Sequence, residues 1–177
     1  PFLTWCAALP VDYWQIDLDA ASTGARVTDQ QPFIEMFRQQ ALNALEEIFV
    51  EIHHMMLDPQ EPMFQTLDEI TAELASQPIG SEASLAAHLD HTGFYIDVLL
   101  AGEENANWAL SWSITSTNDE GLIALKERLR ASYESLRSTI QTIEEWDEDA
   151  IGMVISQIGH AAYHLGVIRE GLAVLRG

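Results

Sequence analysis

Four long stretches of this chain set their apolar residues at helical spacing, and proline, glycine or a capping residue bounds each stretch. No other feature constrains the fold as strongly. After Pro32, which suits the first turn of a helix, Phe33, Met36, Phe37, Leu42, Leu45, Ile48, Phe49 and Ile52 recur every three or four residues until Asp58-Pro59 stops the run. A shorter amphipathic piece follows over Phe64–Leu74 and ends at Pro78 and Gly80. Ser81 to Leu100 reads as a second long helix, closing before Gly102. Residues 101–118 form a loop or extended segment that carries Trp108 and Trp112. Asp119 can cap a third helix built on Leu122, Leu125, Leu129, Tyr133, Leu136, Ile140 and Ile143. A fourth runs from about Asp149 to Leu175. Short connections and no convincing strand predict an all-α chain, a helix bundle over residues 32–177. Residues 1–31 keep no helical period and are expected to form an irregular leader packed on that bundle.

Charge narrows the partners. Asp and Glu number 28 against 8 Lys and Arg, a formal net charge of −20, and no Lys or Arg occurs between Gln39 and Leu125. Binding to phosphate backbones or anionic lipid runs on Lys and Arg, so neither nucleic acid nor a membrane is an expected partner. A single Cys6 rules out an internal disulfide. No apolar run approaches the roughly 18–20 residues of a membrane span, and the basic start of a signal peptide is missing, so a cytoplasmic chain is expected.

The six histidines carry the chemistry. His160 and His164 are four apart on the last helix, hence on one face and roughly 6 Å apart along the axis, so both imidazoles can reach one metal ion. On a helical wheel they lie roughly 120–140° from the apolar stripe Ile151, Val154, Ile155, Ile158, Ala162, Leu165 and Leu172, on a second line with Met153, Gln157, Val167 and Gly171. On the second helix His91 stands about 120° from the stripe of Leu85, Leu89, Thr92, Ile96 and Leu99, while His88 borders that stripe and is read as a histidine with a hydrogen-bond partner. Three imidazoles from two helices make an open site with positions left for water or substrate. His53 and His54 are adjacent and point about 100° apart, which reads as the end of a solvated helix. Glu51-x-x-His54 matches half of a di-iron carboxylate site, but no second Glu-x-x-His exists.

Other chemistries lack their residues. Ala161 stands where a zinc protease needs its Glu, and there is neither a Gly-rich phosphate loop nor Gly-x-Ser-x-Gly. Trp108, Ser111 and Trp112 are expected to cover the bundle.

Gly159-His-Ala-Ala-Tyr-His-Leu-Gly-Val-Ile-Arg169 resembles the closing His-x-x-x-His-x-Gly-x-Ile-Arg signature of the DinB/YfiT-like metal-binding four-helix bundles. Ser84-Leu-Ala-Ala-His-Leu-Asp-His-Thr-Gly-Phe-Tyr95 resembles the second-helix motif of that family, in which the later His is the ligand. The resemblance spans about residues 32–176. It implies an up-down-down-up bundle, a homodimer, and a divalent metal, zinc or nickel, held by His91, His160 and His164. It also implies thiol S-transfer with a low-molecular-weight thiol such as bacillithiol, mycothiol or glutathione, or a related reaction. Tyr95, Tyr163 and Arg169 are the candidates for orienting a small-molecule substrate. An anionic thiol would want basic residues near the metal, and Arg169 alone is obviously placed to help. Two readings follow: a metal-dependent transferase or hydrolase, and a non-catalytic, stress-related metal-binding or interaction bundle. In a third, the histidines are incidental.

Overall fold

The computed structural model describes residues 31–57, 61–79 and 83–177. The chain divides into two compact units, Pro1–Phe33 and Ile34–Gly177. Of the first, residues 31–33 are described, as the opening of a helix; the leader expected before them lies outside the described residues.

The described chain is mostly helical. Its elements are α1 (Gln31–Phe49), α2 (Met63–Asp68), α3 (Ala72–Ala75), β1 (Pro78–Ile79), β2 (Ala83–Ser84), α4 (Leu85–Ala101), a 3-10 turn (Trp108–Trp112), α5 (Asp119–Thr142) and α6 (Glu148–Arg176). Strands β1 and β2 form a two-residue antiparallel ladder, with Pro78 opposite Ser84 and Ile79 opposite Ala83.

Side-chain caps set where the helices begin. Ser84 Oγ accepts the Ala87 N–H at 3.1 Å, Asn118 Oδ1 accepts that of Gly121 at 2.8 Å, and Asp147 Oδ1 accepts that of Ala150 at 2.8 Å. Each such cap contributes about 1 kcal/mol. The second long helix therefore starts at Leu85 and not near Ser81, because the β ladder holds 83–84 extended. Asn118, and not Asp119, caps α5. Gly102 closes α4 in the left-handed region, at φ 62°, as a helix C-terminal glycine does.

Helix α1 ends nine residues before the expected stop at Asp58, and a buried carboxylate explains why. Glu47 is fully buried and accepts the main-chain N–H groups of Met55, Met56 and Leu57 at 3.0–3.3 Å. The chain must leave the helix to bring these donors back to its last turn. His53 and His54 consequently sit on a loop, not on a helix end. His53 reaches Glu46 at 3.3 Å, and His54 takes the turn with φ 59°.

Helix α4 is central. It packs against α5, α6 and the 3-10 turn, and its first nine residues are all buried. Leu85, Leu89 and Ile96 meet Leu129, Leu136 and Ile140 of α5 and Leu165 of α6 in one core, which also takes in Leu45, Ile48 and Phe49 of α1. Burying side chains of this size contributes about 1.5–3 kcal/mol each. Toward α5 the seam is polar and fully paired: Arg128 holds Asp90 at 2.6 Å and Asp97 at 3.0 Å, and Ser132 Oγ donates to Asp97 at 2.6 Å.

The buried face of α6 comprises Val154, Gln157, Ala161, His164, Leu165, Ile168, Gly171 and Leu172. This corrects the apolar stripe drawn from the sequence: Ile155 is 56 % exposed and Ile151 also reaches solvent, while His164 and Gln157 face inward. Gly171 is required there, since a β-carbon would come within 2.5 Å of Ile79. By length and composition α6 is also apolar enough to cross a membrane, contrary to the expectation that no segment approaches a span.

Candidate metal centre

His88 and His91 leave α4 on the side facing α6, where His160 and His164 answer them one turn apart. The ring centroids of His91 and His160 are 5.0 Å apart, those of His91 and His164 5.0 Å, and those of His160 and His164 4.5 Å. One ligand nitrogen from each of these three lies within 4.8 Å of the other two, so the group can hold a metal ion. Tetrahedral ligation at about 2.0–2.1 Å asks for nitrogens about 3.4 Å apart, which small side-chain rotations supply. These are the three histidines singled out in the sequence, brought together from two helices.

Two hydrogen bonds bear on the tautomers of the trio. Ser111 Oγ donates its proton to the Trp108 carbonyl at 2.8 Å and lies 2.7 Å from His91 Nδ1. Its hydroxyl hydrogen being spent, it accepts, so His91 carries its proton on Nδ1 and keeps the Nε2 lone pair free. His88 Nδ1 and His164 Nδ1 are 3.0 Å apart. If His164 is the donor, its own Nε2 is likewise free to ligate, and His88 serves as the acceptor that orients it. The Nε2 of His160 is buried and has no hydrogen-bond partner. A metal ion is one group that satisfies such an atom.

Aromatic rings hold this cluster in place. Tyr95 stacks on His160 at 3.7 Å and 13°, and its hydroxyl meets Ser156 Oγ at 2.5 Å. Trp112 stacks on His91 at 4.0 Å and 23° and stands edge-on to His88. Trp108 packs on Phe94 and Tyr95. The turn expected to cover the bundle is thus the wall of the histidine cluster, with Ser111 bonded to one of its imidazoles. The sequence held no signal for that role beyond a serine between two tryptophans.

Burial keeps all four imidazoles neutral at pH 7. It pushes His91 down to about 4, with the nearby His160 and His88 adding to the effect. It pushes His164, only 2 % exposed, down to about 3, helped by His160, His88 and His91. His88 and His160 are lowered by burial as well. Neutral imidazole is the form that binds metal.

The remaining candidates separate. Tyr95 is part of the cluster. Tyr163 meets His164 edge-on at 5.0 Å but is 63 % exposed. Arg169 is not brought to the histidines. It bonds to the Glu61 carbonyl and lines a separate open groove of about 660 Å³ with Glu51, His54, Glu69 and Arg176. Five other basic side chains find partners elsewhere: Arg38 on Glu35, Lys126 on the Ile70 carbonyl, Arg128 on Asp90 and Asp97, Arg130 on Asp68, and Arg176 on Glu69.

Comparisons with known protein families, with characterised proteins and with solved structures find no match for this chain.

Proposed function

We propose that this chain is a divalent-metal protein of the DinB/YfiT-like kind, a four-helix bundle of α1, α4, α5 and α6, and that it works as a metal-dependent transferase or hydrolase. The observation that carries this reading is the three-imidazole cluster of His91, His160 and His164, two of them buried and the third partly so, neutral and left with an unpartnered Nε2. An all-nitrogen donor set of borderline softness suits zinc or nickel. A divalent ion held there would lower the pKa of a coordinated water or thiol and so supply a nucleophile at neutral pH. The chain's own groups do the rest. Ser111 keeps the His91 proton on Nδ1, His88 orients His164 through the contact between their Nδ1 atoms, Tyr95 fixes the plane of His160, and Trp112 limits access of bulk water to His91.

A large anionic thiol cofactor fits this reading poorly, because Arg169, the cation expected to receive it, serves the other groove. The enclosure of His164 and His91 favours a second reading, a metal-binding bundle without turnover.

A thiol panel with the electrophile monochlorobimane, run on zinc- and nickel-loaded protein beside a His160→Ala control, separates the two. Metal-dependent conjugation at least tenfold above the His160→Ala background is expected of the enzyme. Uptake of metal with activity no higher than that background would leave the binding protein.

A further inference from the structure

Among the described residues, the strongest unexplained polar group is Gln157. It is 1 % exposed, yet neither its amide nitrogen nor its amide oxygen has a hydrogen-bond partner. Native proteins rarely leave a buried carboxamide unpaired on both sides, and such a group marks a missing water, ion or ligand. Gln157, His160 and His164 follow the spacing i, i+3, i+7, so they stand on one face of α6 on successive turns. Side chains three apart on a helix are neighbours, with Cβ atoms about 5–6 Å apart, so Gln157 stands next to His160 on the N-terminal side of the pair. The Tyr95 contacts fix that level independently, since one tyrosine both stacks on His160 and bonds to Ser156, the residue before Gln157. Two orphaned groups, the Gln157 amide and His160 Nε2, therefore share one stretch of one helix face.

We infer that Gln157 is a specificity-determining residue of the three-histidine site, where its amide both donates to and accepts from a ligand that carries an N–H beside a carbonyl-type oxygen. Carboxamides and hydroxamates are the class that matches. This inference rests on the metal reading given above. The ion's own charge attracts any anion whatever residue 157 is, so the amide shows itself in discrimination between ligands and not in gross affinity. A ligand with both a donor and an acceptor loses two hydrogen bonds when Gln157 is removed, and one with acceptors only loses one.

The test measures zinc content, probe binding by calorimetry and thermal unfolding on wild type, Gln157→Leu and Gln157→Met, the second a more flexible replacement should leucine pack badly. The probes are acetohydroxamate, which has the N–H, and acetate, which lacks it. Wild type and variants should hold the same zinc. Acetohydroxamate should bind the variants at least tenfold more weakly, and acetate no more than about threefold. The metal-free variants should melt higher than wild type, because an unpaired amide has left the core. Unchanged acetohydroxamate binding in zinc-loaded variants, or equal losses for the two probes, would overturn the inference and leave the metal site standing. A wild type that takes up no zinc or nickel would contradict the metal reading and this inference with it.

Discussion

Helix α4 carries two polar faces built to different ends. Toward α5, Asp90 and Asp97 meet Arg128 and Ser132, and every charge on that seam has a partner at 2.6–3.2 Å. Burial raises the Asp90 carboxyl and Arg128 pulls it back, the balance of a structural ion pair. Toward α6, His88 and His91 meet His160 and His164 with no carboxylate or guanidinium of the described residues bonded to any of the four, and one buried imidazole nitrogen stays orphaned. A saturated network holds helices together. A cluster that leaves imidazole nitrogens free, one of them buried, is ready for a ligand, and the contrast on one helix separates the two uses of buried polarity.

Metal uptake breaks the comparison most sharply. His164→Ala should abolish binding of zinc or nickel by equilibrium dialysis. Retained uptake would mean the α6 side is not the ligating one. Acid comes next. Unfolded histidines titrate near 6.5, whereas in the folded metal-free chain His91 and His164 titrate near 4 and 3. Between those values the unfolded chain binds protons the folded chain refuses. Stability is therefore complete above pH 6.5 and falls as the pH drops toward 4, by up to about 1.4 kcal/mol per pH unit for each histidine. Urea unfolding at pH 7.5 and pH 5 reads this directly, and equal midpoints would contradict it.

Smaller effects sharpen the contrast. His88→Ala should weaken metal affinity by roughly 10–100-fold without abolishing it, as loss of an orienting partner does. Arg128→Ala should cost about 1–3 kcal/mol of stability, since it leaves Asp90 without its cation, while metal stoichiometry stays unchanged. Loss of metal in Arg128→Ala would show that the two faces are not independent. Arg169→Ala should leave metal affinity within about twofold, since that guanidinium bonds to Glu61 and faces the other groove.

Much of this was legible from the sequence, for reasons that differ from residue to residue. His160 and His164 pair because helical spacing alone decides it, and the helix ends at Gly102 and before Asp119 follow local chemistry that no tertiary contact overrides. On α6 the sequence places Ile151 and Ile155 in the apolar stripe, yet both reach solvent while His164 and Gln157 of the second line are buried; burial answers to neighbouring helices, not to residue type alone. Periodicity alone extends helix α1 too far, because its end depends on Glu47 gripping residues 55–57, a contact without periodicity. Ser111 and Trp112 read only as cover for the bundle, because their partner, His91, lies twenty residues away across a loop. Arg169, five residues past His164, reads as a neighbour of the site, but the helix turns it toward Glu61.

The central claim, that His91, His160 and His164 share one ion, is tested most directly by metal content. Mass spectrometry of protein loaded with zinc or nickel and then desalted, wild type beside His91→Ala, should find one ion per chain in the first and none in the second. Metal that survives in His91→Ala, or a wild type that takes up neither ion, would contradict the account.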